Sequence, residues 1–279
     1  MKIGFQGHRG AYSELALREY FGKDAKAFGY DMSESVLENL LSGELDIGFF
    51  PIENSIVGNV AVNLDLLNHD ETVIIGESYL NINHCLLVKP GVKLSEIKFA
   101  HSHPIALAQC RSFLRENKIE PVSALDTAGS AIKLSKLDAP DHAVIASSLC
   151  SEYYSLDICR VNIQTEQNNI TRFVAFVKKE NETRNLKREK TSLSFSTNHT
   201  PGALLNCIQN FANHNINLTK IESRPIPTDP FHYIFYVDFI GSSQDQNIID
   251  CLEKMKGHVQ SVNILGSYPM AKKPTRNDS

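Results

Sequence analysis

No two of the six cysteines, at positions 85, 110, 150, 159, 207 and 251, form a C-x-x-C pair. Their scatter argues against a zinc site or a disulfide frame and for reduced thiols in a cytoplasmic protein. A basic excess is missing too: 28 Lys and Arg face 32 Asp and Glu, a formal net charge of −4. Bulk electrostatics therefore gives no argument for nucleic acid as a partner. No apolar run approaches the length of a membrane span. No apolar signal region stands before the strand-like Met1–Phe5, so a secretory leader is not expected. What is present, 42% hydrophobic and 22% charged residues, fits an ordinary globular protein. A chain of 279 residues is long for one core and comfortable for two domains.

The clearest break in composition is "KKENETRNLKREK" at 178–190, charged and nearly free of apolar residues. It reads as a solvated linker and puts a boundary near residue 186. Before it, strands and helices alternate. "KIGFQG" (2–7) runs into a Gly-rich turn, "AYSELALREYF" (11–21) reads as a helix, and "DMSESVLENLLSG" (31–43) opens with Asp31 and Glu34 at capping-box spacing and stops at Gly43. Strands follow at "ELDIGFFPI" (44–52), "IKFAH" (97–101), "EPVSAL" (120–125) and "HAVIAS" (142–147), with helices from Pro104 to about Asn117 and after Asp126. This alternation predicts an α/β domain with largely parallel sheets. The apolar stretch 73–89 is placed to carry the chain between two lobes, with 163–177 returning. Beyond the break, "TSLSFSTNH" (191–199), a helix after Pro201, the strands "INLTKIESRPI" and "HYIFYVDFIG", a second helix and "SVNILGSY" follow in the order βαββαβ. That order predicts a ferredoxin-like sandwich with two helices on one sheet face. Residues 271–279 read as a flexible tail.

Four stretches invite a chemical reading. "GFQGHRGAYSE" (4–14) has the strand, spaced glycines and helix start of an anion-binding turn. Its G-x-x-G-x-x-G spacing is not the dinucleotide fingerprint, and no Walker lysine follows. His101-x-His103 has a spacing that some metal sites use, but the nearby sequence offers no third ligand, and Pro104 suits the first position of a helix capped by a polar residue. "FFPIENSIVGNV" (49–60) leaves a buried strand into Glu53, Asn54 and Ser55, where α/β proteins place ligand groups; a plain polar turn explains it equally well. In "NNITRFVAFVKKE" (168–180), a regular strand puts Thr171 and Phe173 on one face and Arg172 on the other. Residue types and spacing alone leave open whether these groups serve a ligand or only start a strand.

Taken together, these segments resemble one family. "G-x-x-G-A-Y-S" at 7–13, "P-I-E-N-S-x-x-G-x-V" at 51–60, "S-H-P-x-A-L-A-Q-C" at 102–110 and "T-R-F" at 171–173 occur in the order found in prephenate dehydratases. "G-A-L" at 202–204 and "E-S-R-P" at 222–225 resemble the phenylalanine-binding motifs of the ACT regulatory domain attached to those enzymes. The likeness runs from residue 2 to about 269. Two positions depart from the pattern: Ile105 stands where the family often has Gln, and "GHRG" replaces the more usual Gly-Pro-x-Gly.

The resemblance implies a two-lobed catalytic domain over 1–185, like type II periplasmic binding proteins, an ACT domain over 186–270, and a monofunctional chain. The implied reaction turns prephenate into phenylpyruvate, with loss of carbon dioxide and water and no metal or organic cofactor. By the same resemblance Thr171 assists the departing hydroxyl, and Glu53, Asn54, Ser55, Ser102, Gln109, Thr127, Arg172 and Phe173 bind the substrate. Gly202, Ala203, Leu204, Glu222, Ser223, Arg224 and Pro225 would hold L-phenylalanine as a feedback inhibitor in a dimer or tetramer. Arogenate dehydratase is the nearest rival, and a non-catalytic amino-acid sensor is the alternative from another class.

Overall fold

The computed structural model describes residues 1–182, 187–226 and 229–274. The expected boundary at 186, and residues 275–279 of the expected tail, lie outside these. Contacts divide the chain into two units. One comprises Met1–Asn59, Ser78–Phe173 and the chain end from Lys273; the other comprises Val60–Glu77 and Val174–Lys272.

The chain begins β1 (Lys2–Gln6), α1 (Tyr12–Phe21), β2 (Lys26–Tyr30), α2 (Ser33–Leu41), β3 (Ile47–Asn54), β4 (Gly58–Asn59), α3 (Ala61–Leu67) and β5 (Thr72–Asn81). It continues with β6 (Cys85–Val88), β7 (Phe99–Ser102), α4 (Pro104–Gln109), α5 (Arg111–Glu116), β8 (Glu120–Ser123), α6 (Thr127–Lys136), β9 (His142–Ala146), α7 (Leu149–Tyr154), β10 (Asp157–Arg160) and β11 (Ile170–Lys178). The first sheet has the order β2-β1-β3-β11-β5, and the second β10-β6-β9-β7-β8. The chain leaves the first sheet after β5 and returns at β11, as the apolar stretches suggested.

The sheets are more mixed than expected. β1 is parallel to β2 and β3, and β7 is parallel to β8 and β9. Where the chain crosses between the lobes, β6 runs antiparallel to both β9 and β10. β6 also shows why a short apolar run marks a central strand. Leu86 and Val88 enter a cluster with Ile97, Leu107 and Leu114, whereas Cys85 and Leu87 enter another with Ala128, Leu134 and Leu156. Both faces are covered, so no polar alternation appears. The single helix expected over 104–117 is two helices, broken at Cys110 (φ −101°, ψ 12°).

The second unit contains β12 (Lys190–Thr197), α8 (Ala203–Asn213), β13 (Leu218–Ile226), β14 (Asp229–Ile240), α9 (Gln246–Met255) and β15 (Val259–Tyr268). Its antiparallel order β13-β14-β12-β15 is that of the ferredoxin-like βαββαβ sandwich. Leu193 and Phe195 of β12 face the helix side with Cys207, Phe211, Ile248 and Met255. The alternating serines face the other way and are also buried. Ser194 donates to Asn68 Oδ1 at 2.7 Å, so the segment after α3 covers that face.

Candidate functional site

Strand alternation sorts the Thr-Arg-Phe triplet into three duties. Phe173 is buried and stacks on Phe49, with ring centroids 5.3 Å apart and planes within 1°. Arg172 is buried and lies 3.6 Å from the Glu53 carboxylate. Thr171, on the opposite side from Arg172, accepts a 2.9 Å hydrogen bond from Asn54 Nδ2. Neighbouring residues on β3 and β11 therefore split by face: Glu53 with Arg172 on one, Asn54 with Thr171 on the other. Phe173, expected to touch substrate, is packed in the core, and Arg172 faces Glu53 on the side of the strand away from Thr171.

The orientation of Asn54 follows from its surroundings. Its Oδ1 accepts from the backbone N–H of Ile56 at 3.0 Å and of Val57 at 2.9 Å, an Asx turn closing the Glu53–Asn59 hairpin. Its amide nitrogen is then turned to Thr171 and to Asn169 Oδ1, the latter at 2.8 Å. Because Thr171 Oγ1 accepts there, its own O–H is left to donate. Ser55 is absorbed locally: its Oγ donates to the Asn168 carbonyl at 2.8 Å and accepts from the Ile170 N–H at 2.9 Å.

Gln109, at the end of α4 in the second lobe, joins the same set. Its Oε1 accepts from Asn169 Nδ2 at 3.0 Å and lies 2.7 Å from His84 Nε2. His84 Nδ1 lies 2.7 Å from the Tyr12 hydroxyl. Burial holds the His84 imidazole below its ordinary value, partly offset by the Gln109 contact, and holds the Tyr12 phenol well above its own. Asn169, His84 and Tyr12 were not singled out from sequence. Asn169 precedes Thr171 by two positions and Tyr12 sits within "GAYS", which were the available signals; His84, at the crossing between lobes, gave none.

The other expected residues are placed less directly. Ser102 is fully buried and donates to the Ile145 carbonyl at 2.6 Å, so its hydroxyl hydrogen is spent inside the second lobe. Thr127 opens α6, whose cap is Asp126 accepting from Gly129 N–H at 2.6 Å. The His101-x-His103 pair does not converge. His103 caps α4, while His101 stacks on His142 with its Nε2 at 2.6 Å from His142 Nδ1. Among the described residues no cluster of three or more His, Cys, Asp or Glu side chains could hold a metal ion.

The "GHRG" turn is held across the lobes. Glu14 accepts from Gly10 N–H at 2.7 Å and from Tyr153 OH at 2.9 Å, and pairs with Arg18 at 2.8 Å. Ser147 Oγ donates to the Gly10 carbonyl at 2.6 Å. Gly10 has φ +88°, and an added Cβ would lie 2.7 Å from Cys150 Sγ, so both conformation and space require glycine there. A cavity of about 550 Å³ lined by His101, Leu125, Lys133 and Leu137 lies elsewhere in the second lobe and includes none of the Thr171 set.

In the second unit Gly202 caps α8 in the left-handed region (φ +81°), with no atom within 4 Å of where a Cβ would stand. Ala203 is buried and Leu204 packs on the sandwich core. Glu222, Ser223, Arg224 and Pro225 lie on β13, at the sheet edge, where a proline is tolerated. Arg224 Nη2 donates to Asp65 Oδ2 at 2.8 Å, and Tyr236 OH donates to Asp65 Oδ1 at 3.1 Å.

The chain thus combines a two-lobed α/β fold, with neutral donors from both lobes brought together, and a ferredoxin-like domain. The family model for prephenate dehydratase matches residues 3–181, and the chain belongs to that family. It is a dehydratase, a carbon–oxygen lyase. A chloroplastic arogenate dehydratase/prephenate dehydratase of Arabidopsis thaliana is 37% identical over 97% of this chain and 72% of its own. The crystal structure of an Arthrobacter aurescens prephenate dehydratase in complex with L-Phe superposes with a TM-score of 0.88 at 31% identity, covering 98% of this chain and 91% of that one. A structure described as GqqA, a quorum-quenching acylase, superposes at 0.90 with 29% identity, covering 97% and 98%.

Proposed function

We propose that the protein catalyses the decarboxylative dehydration of prephenate to phenylpyruvate, under feedback control by L-phenylalanine. The observation that carries the reading is the Asn54-to-Thr171 hydrogen bond, which leaves the Thr171 O–H as a donor at the mouth of the Asn54–Gln109 set. In this reaction the bond between the ring and its carboxylate breaks to release carbon dioxide. Its electron pair enters the ring, and the ring C–O bond opposite breaks to release hydroxide. Aromatisation drives the change, and the poor leaving group is the obstacle. Thr171 donates to that oxygen as charge builds on it, and solvent supplies the proton that completes water. Positioned donors of this kind contribute ~10²–10⁴-fold. Asn54 and Gln109 provide preorganised dipoles, with Thr127 beside the start of α6 as a further donor; Arg172 supports the site through Glu53.

The acylase of the same fold is a reminder that architecture does not fix chemistry. Arogenate differs from prephenate only in bearing an amino group in place of the side-chain ketone, and dual-named relatives keep it as the second reading. The effector reading rests on Gly202–Leu204 and Glu222–Pro225, by similarity to the L-Phe-bound relative. An ACT domain pairing through its sheet edge in a dimer or tetramer is part of this reading, and the free cysteines, all buried but Cys159, fit a cytoplasmic setting. Product formation from prephenate and arogenate in parallel, with and without L-phenylalanine, tests it. Phenylpyruvate formation suppressed by L-phenylalanine is expected. Turnover of arogenate alone would move the assignment to the rival, and turnover of neither by folded protein would overturn it.

A further inference from the structure

The polar contacts between Asn54 and Tyr12 fit together in one order when read from the Asn54 turn. Asn54 Oδ1 is occupied by two backbone N–H groups, so both of its amide hydrogens go to Thr171 and Asn169. Asn169 Oδ1 accepts, so Asn169 Nδ2 is the side that reaches Gln109. Gln109 Oε1 accepts from Asn169, so the hydrogen in the 2.7 Å contact with His84 Nε2 belongs to the imidazole. A neutral His84 protonated at Nε2 presents a lone pair at Nδ1, which takes the Tyr12 O–H at 2.7 Å. The order is inherited residue by residue from the backbone turn at Ile56 and Val57.

We propose that Asn169, His84 and Tyr12 are positioning residues that order the donors of the site: together they hold Gln109 Oε1 inward, so that its NH₂ and the Thr171 O–H are what the substrate meets. The inference rests on the dehydratase reading for its kinetic part only. Its chemistry suits a dianion: two carboxylates need N–H and O–H groups facing them, and a reversed Gln109 would offer its carbonyl oxygen instead. The line also joins the lobes. Tyr12 and Asn54 belong to the first, Gln109 to the second, and His84 and Asn169 to the two crossings. A reversed order is sterically available, because the Tyr12 hydroxyl lies 3.3 Å from the Asn83 carbonyl and could donate there. Nothing but the Asn54 turn and Asn169 selects between the two orders.

Asn169→Asp is the decisive variant. A carboxylate at 169 still accepts from Asn54, but it repels Gln109 Oε1 and draws the Gln109 NH₂ inward. His84 Nε2 must then accept, and its proton moves to Nδ1. Imidazole ¹⁵N–¹H correlation spectra read that tautomer directly. The expected result is Nε2–H in the parent and Nδ1–H in Asn169→Asp, with KM for the turned-over substrate raised about tenfold or more by loss of a donor to a charged group and kcat changed less. Gln109→Glu serves as the second variant, because a carboxylate accepts from both Asn169 and His84. It should keep Nε2–H yet raise KM, separating order from donation. An Nδ1–H tautomer in the parent overturns the proposal, and so does a tautomer unchanged in Asn169→Asp, or unchanged KM in both variants. The spectra hold whether or not prephenate is turned over, so failure of the functional reading is seen separately, as absence of parent turnover.

Discussion

Thr171 sits at the end of a sequence of choices made by single atoms. Asn54 must spend its oxygen on the turn before its nitrogen reaches Thr171, and the threonine must accept before its hydrogen is free. Removing the hydroxyl at constant shape therefore isolates the chemistry: Thr171→Val is expected to lower kcat by ~10²–10⁴-fold with little change in KM, measured as phenylpyruvate release. A variant that kept most of the parent turnover would end the assignment. Two histidines give a second residue-scale consequence. Burial lowers His84, and burial aided by the charges of His142 and Lys133 lowers His101, below the 6.5 of a free imidazole. Between that value and the folded-state values the unfolded chain binds more protons, so stability rises with pH there and falls on acidification. Urea midpoints should drop between pH 7.5 and 5.5, and a His101→Gln variant should lose part of that slope. An unchanged slope would mean His101 does not titrate with folding.

At the scale of elements, the sequence was most legible where a single period governs. Leu193 and Phe195 announced one face of β12, and "GAL" and "ESRP" fell at the start of the helix expected after Pro201 and on the strand expected over "INLTKIESRPI". It was least legible where the partner is remote. The opposite face of β12 is serine-rich yet buried, because residues more than a hundred positions earlier cover it, which no local pattern encodes. β2 was missed for a similar reason: a short edge strand, half-exposed, carries no alternation. Within the candidate site, Asn54, Gln109 and Thr171 were legible as motif members, whereas Ser102 donates to the Ile145 carbonyl inside the second lobe and His84 acquires its place only from the crossing between lobes. The same remoteness creates a strong local demand at Lys190. Its ammonium is buried 2.8 Å from the buried Glu77 carboxylate, which also accepts from Ala271 N–H at 3.1 Å. Lys190→Met removes a buried cation from beside a buried carboxylate and should cost about 3–5 kcal/mol in chemical denaturation. Adding Glu77→Leu should recover part of the loss. A single variant as stable as the parent would show that the Lys190–Glu77 pair does not carry the stability of this face.

For the molecule as a whole, the question is how an amino acid bound near β13 would reach Thr171. Arg224 of the proposed effector motif holds Asp65 on α3, with Tyr236 on the other carboxylate oxygen. The hydrogen bond to Asp65 raises the guanidinium above its ordinary value, and burial, reinforced by Asp65, raises the Tyr236 phenol. All three groups belong to the same unit. α3 follows directly from the Glu53–Asn59 hairpin whose turn orients Asn54. An effector that alters Arg224 therefore acts on a helix covalently continuous with the turn that orients Asn54. Asp65 touches no group assigned to substrate, which makes it the place to cut. Asp65→Asn removes the charge but keeps an acceptor for Tyr236. Coupling energies of this sort are typically about 1–3 kcal/mol, a 5–150-fold change in affinity. The variant is expected to bring the ratio of substrate affinities with and without L-phenylalanine close to one, while calorimetry still detects L-phenylalanine binding. Linkage demands that substrate then also lose its effect on L-phenylalanine affinity, so both halves of the cycle must fall together. If inhibition persists at full strength, Arg224 signals through something other than Asp65, and α3 is only a covering helix.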